Sequence, residues 1–217
     1  MSFEGWPAEA LTFYQGLEVD NSKAYWTRQK DVYEAAVREP LAELLGELEP
    51  EFGAGRLYRP LRDTRFSNDK SPYKTAACVT FEQGGMVQIS ATGLAALMGF
   101  GGLAPDQLER YRACVLDDAK AAALLTLIEQ SAARGVEVAD GEMLKGAPRG
   151  YPKEHPRMDL LRKKDLYTRR DWPVEPWLGT AEAKEHVVEF LRASRPLHGW
   201  LAEHVGDTER HRPRRGA

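Results

Sequence analysis

The sequence predicts an α+β fold, a single domain with a central antiparallel sheet on which helices from the N-terminal and C-terminal parts pack. Apolar residues recur at helical spacing in the first quarter of the chain, alternate in the middle, and return to helical spacing near the end. No internal repeat or long linker divides the 217 residues, which suffice to bury one core. We therefore expect one domain over residues 1–208 and a basic, disordered tail over residues 209–217.

Three helices are expected in the first quarter. Pro7 suits the first turn of the first helix, and residues 20–22 offer N-cap oxygens for a second helix that runs to about Arg38. Pro40 can start the third helix, which ends near the glycines at 53–55. The third helix carries a regular apolar stripe, formed by Leu41, Leu44, Leu45, Leu48 and Phe52.

The middle of the chain predicts a meander of strands. Residues 75–82 and 86–92 are joined by a Gln-Gly-Gly turn, which favours a hairpin. Residues 57–62 predict a strand before this hairpin, and residues 97–100 predict one after it. The glycines that flank Phe100 are typical of a bulge, or of a place where a ligand approaches the backbone closely.

Helices are expected again at residues 105–116 and 120–134. The segment 136–178 is expected to be irregular because it contains five prolines, with one short helix near residues 157–163. Two further helices are expected to close the fold, at residues 182–193 and 196–205.

The composition is that of a soluble globular protein, with 42% hydrophobic and 29% charged residues. No apolar run approaches the ~20 residues that a membrane-spanning helix needs, and the N-terminus does not resemble a secretory signal. Cys78 and Cys114 form no Cys-x-x-Cys pair, so neither a disulfide framework nor a zinc site is expected. Both cysteines are expected to be buried apolar residues. We therefore expect a cytoplasmic protein.

Basic residues are concentrated in three segments of a chain whose net charge is −3. Residues 56–75 hold six Lys or Arg against two acids, and residues 143–170 hold nine against three. The last eight residues hold four arginines and no acid, so the rest of the chain is strongly acidic. This distribution argues for a local anion site and against a broad nucleic-acid surface.

The most informative segment is 59–75, in which three arginines recur at every third residue. Guanidinium groups present fixed donors suited to phosphate or carboxylate oxygens, so this density predicts an anion site. Asp63 and Asp69 are expected to orient the arginines or to cap a turn. A purely structural network of Arg–Asp pairs is the competing interpretation. The anion-binding residues predicted in this segment are Arg59, Arg62, Arg65, Lys70, Tyr73 and Lys74.

A second basic segment, residues 145–162, combines a loop interrupted by prolines with the short predicted helix. We expect this segment to fold against residues 59–75 and to complete the site with Lys145, Arg149 and His155. The alternative is a solvated charged loop. His155 is also a candidate general acid or base, although a loop histidine that donates to a carbonyl is the simpler interpretation.

No cofactor or metal is predicted. Asp63, Asp69 and His155 do not show metal-ligand spacing. The chain also lacks the phosphate-binding, dinucleotide-binding and hydrolase motifs that carry a known mechanism. The sequence therefore assigns no catalytic residue, and it leaves open whether the protein is an enzyme.

The pattern R-x-x-R-D-x-R-F-x-x-D-K-x-x-Y over residues 59–73 resembles the signature of a bacterial family known only as domain-of-unknown-function family 2461. Residues 21–33, the 87–89 hairpin with its glycine cluster, and the basic stretch 144–156 are similar to further parts of that family. The resemblance extends over about residues 3–200, and it departs at Glu154, where the family more often has Asp. It implies that these residues act together, but it implies no activity.

Three functions follow as alternatives. The favoured one is a binding protein or enzyme whose composite Arg/Lys site takes a phosphorylated or carboxylated small molecule. The second is nucleic-acid binding, with Phe66, Tyr73 and Tyr151 as stacking platforms and the basic tail as an arm, which the acidic remainder disfavours. The third is an interaction or scaffold protein whose arginine motif is purely structural. No membrane partner is expected.

Overall fold

Over residues 2–65 and 69–209, the part of the chain that it describes, the computed structural model contains one six-stranded antiparallel sheet flanked by helices. The predicted α+β class is therefore confirmed. The strands are β1 (Gly55–Leu57), β2 (Ala76–Phe81), β3 (Gly85–Ser90), β4 (Gly93–Phe100), β5 (Glu137–Val138) and β6 (Leu166–Trp172). They are hydrogen-bonded in the order β1-β2-β3-β4-β6-β5.

Along the chain, helices come before, between and after the strands, as expected for an α+β fold. They are α1 (Ala8–Val19), α2 (Lys23–Val32), α3 (Glu39–Phe52), α4 (Pro105–Leu116), α5 (Asp118–Ala133), α6 (Met158–Arg162) and α7 (Glu182–His204). A π-helical turn, Tyr33–Arg38, joins α2 to α3, and a 3-10 turn, Pro176–Gly179, precedes α7. Among the described residues, no helix has the length and apolar character needed to cross a membrane.

The chain divides into two compact units. The described part of the first unit comprises residues 2–96 and 171–190, and that of the second comprises residues 97–170 and 191–209. The expected boundaries, a domain over 1–208 and a tail over 209–217, stay a prediction. All of that tail except Glu209 lies outside the described residues.

In the first unit, one face of the β1–β2–β3 region is buried and the other is half-exposed. The register places Leu57 opposite Val79, and burial alternates along β2 and β3. The rings of Phe52 on α3 and Phe81 on β2 lie 6.1 Å apart, so α3 covers the buried face. The opposite face carries Arg56 of β1, which lies opposite Thr80.

The predicted N-cap of α2 is confirmed. The Ser22 side chain accepts a hydrogen bond from the Tyr25 backbone N–H at 3.1 Å, which satisfies one of the free donors of the first turn. Tyr25 in turn ties α2 to α1, because its hydroxyl donates to the Phe13 carbonyl at 2.8 Å. The start of α2 is therefore fixed both locally and against its neighbour.

The expectation of an irregular segment at 136–178 is wrong for β6. This strand contains Arg169, Arg170 and Asp171, which give it the polarity of a loop. It forms because Thr168 is fully buried, where its hydroxyl donates to the Met98 carbonyl at 3.1 Å. A tertiary contact thus overrides the local polarity.

The two helices expected at the C-terminus are a single helix, α7, with Pro196 in its interior. A proline there removes a backbone hydrogen bond, at a cost of about 3 kcal/mol. The buried stripe of Leu191, Ser194, Leu197 and Leu201 continues past it at helical spacing, each residue at most 1% exposed. Burial of this stripe offsets the proline.

The glycine cluster at 99–102 gives a prediction in the second unit. Gly99 has φ +126°, and a Cβ there would lie 2.6 Å from the Leu166 carbonyl oxygen. Gly99→Ala is expected to lower the free energy of unfolding by about 2 kcal/mol or more, since both the backbone conformation and the space oppose it. Urea unfolding measures the effect.

Gly101→Ala is the matched control, because a Cβ at Gly101 meets nothing within 4 Å. It is expected to change the free energy of unfolding by no more than about 0.5 kcal/mol. Equal losses in the two variants would contradict the close approach at Gly99.

Candidate functional site

Residues 59–65 and 69–75 do not continue β1 but pair with each other in a loop between β1 and β2. At the base of this loop, the Arg62 N–H donates to the Pro72 carbonyl and the Lys74 N–H donates to the Pro60 carbonyl, both at 2.8 Å. Leu61 and Tyr73 face each other as an isolated antiparallel bridge. We call the described part of this segment, residues 59–65 and 69–75, the arginine loop. The expectation of a strand at 57–62 is therefore wrong in its bounds, because β1 covers Gly55–Leu57 and the residues after it form one side of the loop.

The side-chain amide of Asn21 holds the arginine loop to the start of α2. The Tyr73 N–H donates to Asn21 Oδ1 at 3.0 Å, and Asn21 Nδ2 donates to the Tyr73 carbonyl at 3.1 Å. The Tyr73 ring stacks on Trp26 of α2, with centroids 4.4 Å apart and an interplanar angle of 6°. Tyr73, expected to bind the anion, is only 6% exposed, and these contacts make it the anchor of the loop.

Asp63 binds Arg65 through both of its carboxylate oxygens. Arg65 Nε lies 3.0 Å from Oδ1 and Nη2 lies 2.7 Å from Oδ2. The Arg65 backbone N–H also donates to Oδ1, at 3.2 Å. These charge-assisted bonds lower the pKa of Asp63 to about 2, with the Arg65 side chain as the largest cause. Arg65 is thereby engaged within the loop.

Asp69 organises the return of the loop. Its Oδ1 accepts from the Ser71 N–H at 2.9 Å and from the Ser71 hydroxyl at 2.7 Å, which lowers the pKa of the carboxyl. Its Oδ2 lies 2.9 Å from Arg62 Nη1. Lys70, expected to bind the anion, donates to the Thr64 carbonyl at 2.8 Å. Both acids thus contact arginines, as an orienting role requires.

A second set of cations gathers around the ring of Tyr58. Arg56 Cζ lies 5.1 Å and Lys74 Nζ lies 5.2 Å from the ring centroid, within the range of cation–π attraction. Burial lowers the pKa of Lys74, and the positive charges of Arg59, Arg62 and Arg56 lower it further, while the nearby Cys78 acts in the opposite direction. We give the name Tyr58 cluster to these two cations together with the two other arginines whose charges act on Lys74: Arg56, Arg59, Arg62 and Lys74.

Three members of the Tyr58 cluster have no carboxylate partner. Within residues 2–65 and 69–209, neither Arg56, Arg59 nor Lys74 forms an ion pair, whereas Arg62 pairs with Asp69. Arg56 and Tyr58 were not among the predicted site residues. The signal for Arg56 was present, because residues 56, 59, 62 and 65 continue the same spacing of three.

The predicted residues of the second basic segment lie in the second unit. Lys145 and Arg149 are exposed, and neither has an ion-pair partner in the part of the chain that the structure describes. His155 Nδ1 accepts a hydrogen bond from the Arg157 N–H at 3.1 Å, so the lone pair of Nδ1 is engaged and a neutral ring carries its proton on Nε2. That these three residues complete one site with the arginine loop stays a prediction.

Arg157 and Arg162 hold the second segment in place within its own unit. Arg157 Nη1 donates to the Val115 carbonyl at 2.6 Å and its Nη2 pairs with Asp118. Arg162 Nε donates to the Leu144 carbonyl at 2.7 Å, and the Leu144 N–H donates back to the Arg162 carbonyl at 2.8 Å. These two arginines therefore have structural partners that Lys145 and Arg149 lack.

Neither cysteine is set up as a nucleophile. Cys78, on β2, and Cys114, on α4, are both free thiols, and burial raises the pKa of each. A raised pKa leaves little reactive thiolate at neutral pH. Among the described residues, no three His, Cys, Asp or Glu side chains converge in a way that suits a metal ion.

Comparison with protein-family models matches residues 9–200 to the family described as "Conserved hypothetical protein (DUF2461)". The chain belongs to the DUF2461 family. The resemblance inferred from the arginine pattern is thereby confirmed at the level of the family. The DUF2461 match spans the arginine loop, the Tyr58 cluster and the second basic segment. No curated protein and no solved structure gave a significant match.

The contact between Asn21 and Tyr73 gives a stability prediction. Asn21→Ala removes two hydrogen bonds and leaves both backbone groups of Tyr73 without these partners. The free energy of unfolding is expected to fall by about 2–4 kcal/mol, measured by urea denaturation. Lys23→Ala, an exposed change two residues away, is the control and is expected to stay within about 0.5 kcal/mol of the wild type. A loss no larger than that of the control would contradict the anchoring role of Asn21.

The pair of Asp63 and Arg65 gives a second prediction. In Arg65→Gln the pKa of Asp63 is expected to rise from about 2 towards its ordinary value, because the largest cause of the shift is the Arg65 side chain. Carboxyl ¹³C NMR across an acid titration measures this pKa. Arg59→Gln is the control: Arg59 is the weakest contributor to the shift, so a smaller rise is expected. An equal rise in both variants would show that general charge, not the Arg65 contact, sets the pKa.

Proposed function

We propose that the Tyr58 cluster binds a small phosphorylated or carboxylated molecule, and that this binding is the function of the arginine motif. The observation that carries the proposal is the set of cations that form no ion pair among the described residues, Arg56, Arg59 and Lys74. The two acids of the arginine loop pair with other arginines, Asp63 with Arg65 and Asp69 with Arg62, and Asp69 also accepts from Ser71. An external anion supplies the charge that the chain itself does not.

The electrostatics of the Tyr58 cluster support this proposal. Burial is the largest cause of the lowered pKa of Lys74, and repulsion from the nearby arginines lowers it further. An anion among these cations reverses the sign of the interaction. Guanidinium groups also present donors whose geometry fits phosphate and carboxylate oxygens.

The anchoring of the loop supports the proposal as well. Asn21 fixes the backbone of Tyr73, and Lys74 follows directly, with its own N–H bound to the Pro60 carbonyl. Arg62 is held by Asp69 and donates to the Tyr73 carbonyl at 3.4 Å. Donors that are fixed before the ligand arrives lose less conformational entropy on binding.

We also infer that the protein works in the reducing environment of the cytoplasm. Cys78 and Cys114 are both free. Secreted proteins tend to use their cysteines in disulfides, whereas cytoplasmic proteins keep them as thiols. An organic anion of metabolism is the kind of ligand that such a compartment supplies.

Isothermal titration with inorganic phosphate and with citrate tests the proposed function. Arg59→Gln/Lys74→Met removes two unpaired charges and is expected to weaken binding at least about tenfold, since each loses roughly 1 kcal/mol or more of charge attraction. Arg28→Gln is the control: it removes a positive charge from the same unit, but from a surface pair with Asp20. It is expected to leave the affinity unchanged within about twofold.

Three results would contradict the proposal. The first is that neither anion binds, and the second is that the double variant binds as the wild type does. The third is tighter binding of a single-stranded DNA oligonucleotide with a steep salt dependence, which would favour the nucleic-acid alternative. Thermal unfolding of Arg59→Gln adds a further readout. If the cations of the cluster only repel one another, removing one charge raises the stability of the protein. If they belong to a structural network, removing one charge lowers it.

A further inference from the structure

We infer that the ligand of the Tyr58 cluster is a phosphomonoester in its dianionic form, not a monocarboxylate or a phosphodiester. This inference rests on the proposed function and names the chemical class of its ligand. It follows from the number of unpaired charges, from the positions of two of them beside the Tyr58 ring, and from the charges that surround Lys74.

The arginine motif carries more positive charges than its own acids can neutralise. Residues 56–75 hold six cations and two acids. Asp63 and Asp69 neutralise Arg65 and Arg62, and Lys70 is bound to the Thr64 carbonyl. Three cations form no ion pair within residues 2–65 and 69–209, namely Arg56, Arg59 and Lys74. A monoanion offsets only one of these charges, whereas a phosphomonoester offsets two at neutral pH.

The arrangement of the donors favours the same class. Arg56 and Lys74 lie at nearly equal distances, 5.1 and 5.2 Å, from the Tyr58 ring centroid, so two chemically different cations contact the same ring. A guanidinium binds two oxygens in a plane, and an ammonium acts as a point charge. The three terminal oxygens of a phosphomonoester satisfy both kinds of donor, whereas a diester or a carboxylate offers two charged oxygens.

The charge of the ligand is expected to affect the protonation of Lys74. The groups whose charges act on Lys74 are Arg56, Arg59, Arg62 and Cys78, and the three arginines together with burial lower its pKa. A dianion beside Lys74 favours the ammonium form and raises that pKa. A monoanion does so less, because its charge is half as large.

A matched pair of ligands tests the inference without any mutation. Methyl phosphate and methyl sulfate have nearly the same shape, but the sulfate carries one charge at every accessible pH. Isothermal titration at about pH 7.5 is expected to show methyl phosphate binding at least about tenfold more tightly. At about pH 5, below the second pKa of the phosphate, the two affinities are expected to converge within about threefold.

Variants of the Tyr58 cluster test whether its cations cause the preference for methyl phosphate over methyl sulfate. Lys74→Met is expected to reduce the phosphate-to-sulfate affinity ratio at about pH 7.5 to below about threefold, because one compensating charge is gone. Arg59→Gln, at an exposed position, is expected to reduce the ratio in the same direction and serves if Lys74→Met folds poorly. Lys30→Met removes an exposed lysine from α2 in the same unit and is expected to retain the wild-type ratio.

The outcomes separate the inference from the function on which it rests. Equal affinities for methyl phosphate and methyl sulfate at about pH 7.5, both weakened in Arg59→Gln/Lys74→Met, would overturn the dianion inference and leave the anion site intact. Binding of citrate or acetate but of neither ester would do the same. If no anion binds, both fail. A ratio that persists unchanged in Lys74→Met and in Arg59→Gln would also overturn the inference.

Discussion

The side-chain amide of Asn21 is the contact on which the arginine loop depends. In the isolated bridge between Leu61 and Tyr73, the backbone hydrogen bonds run through the flanking residues, so the N–H and carbonyl of Tyr73 find no partner in that pairing. Asn21 supplies both, at 3.0 and 3.1 Å, as a neighbouring strand would. The stacking of Tyr73 on Trp26 then fixes the direction in which the chain leaves the loop. The position of Lys74 follows from these contacts.

The cations of the arginine motif fall into two classes, although their spacing in sequence is uniform. Arg65 and Arg62 have acids beside them and contribute to the structure of the loop. Arg56 and Arg59 form no ion pair in the described part of the chain, and they stand close enough to Lys74 to lower its pKa. The structural interpretation therefore applies to Arg62 and Arg65, and the proposed ligand binding rests on Arg56, Arg59 and Lys74. The acids determine the division, because each side chain can neutralise one arginine.

The features that the sequence predicts correctly are those that local patterns determine. The stripe of α3, the hairpin of β2 and β3, and the cap of α2 depend on neighbours within a few residues, and each is present in the structure. Prediction from the sequence fails where contacts between distant residues determine the structure. Thr168 is buried within β6 despite the charges that follow it, and α7 continues through Pro196 because its buried stripe does. Tyr73 has the neighbours of a ligand-binding tyrosine, but Trp26 covers its ring, and no local pattern indicates that contact.

The same division explains why the arginine motif resists interpretation from sequence alone. A residue that pairs with Asp63 or Asp69 stabilises the fold, so its removal destabilises the protein whether or not a ligand exists. An unpaired cation among other cations opposes the fold slightly, and selection for stability alone would not retain it. The sign of the stability change on removing one charge therefore separates the two roles at each position. Under the proposed function, Arg56, Arg59 and Lys74 are the positions where ligand binding and stability act in opposite directions, and such positions are where a binding site is expected.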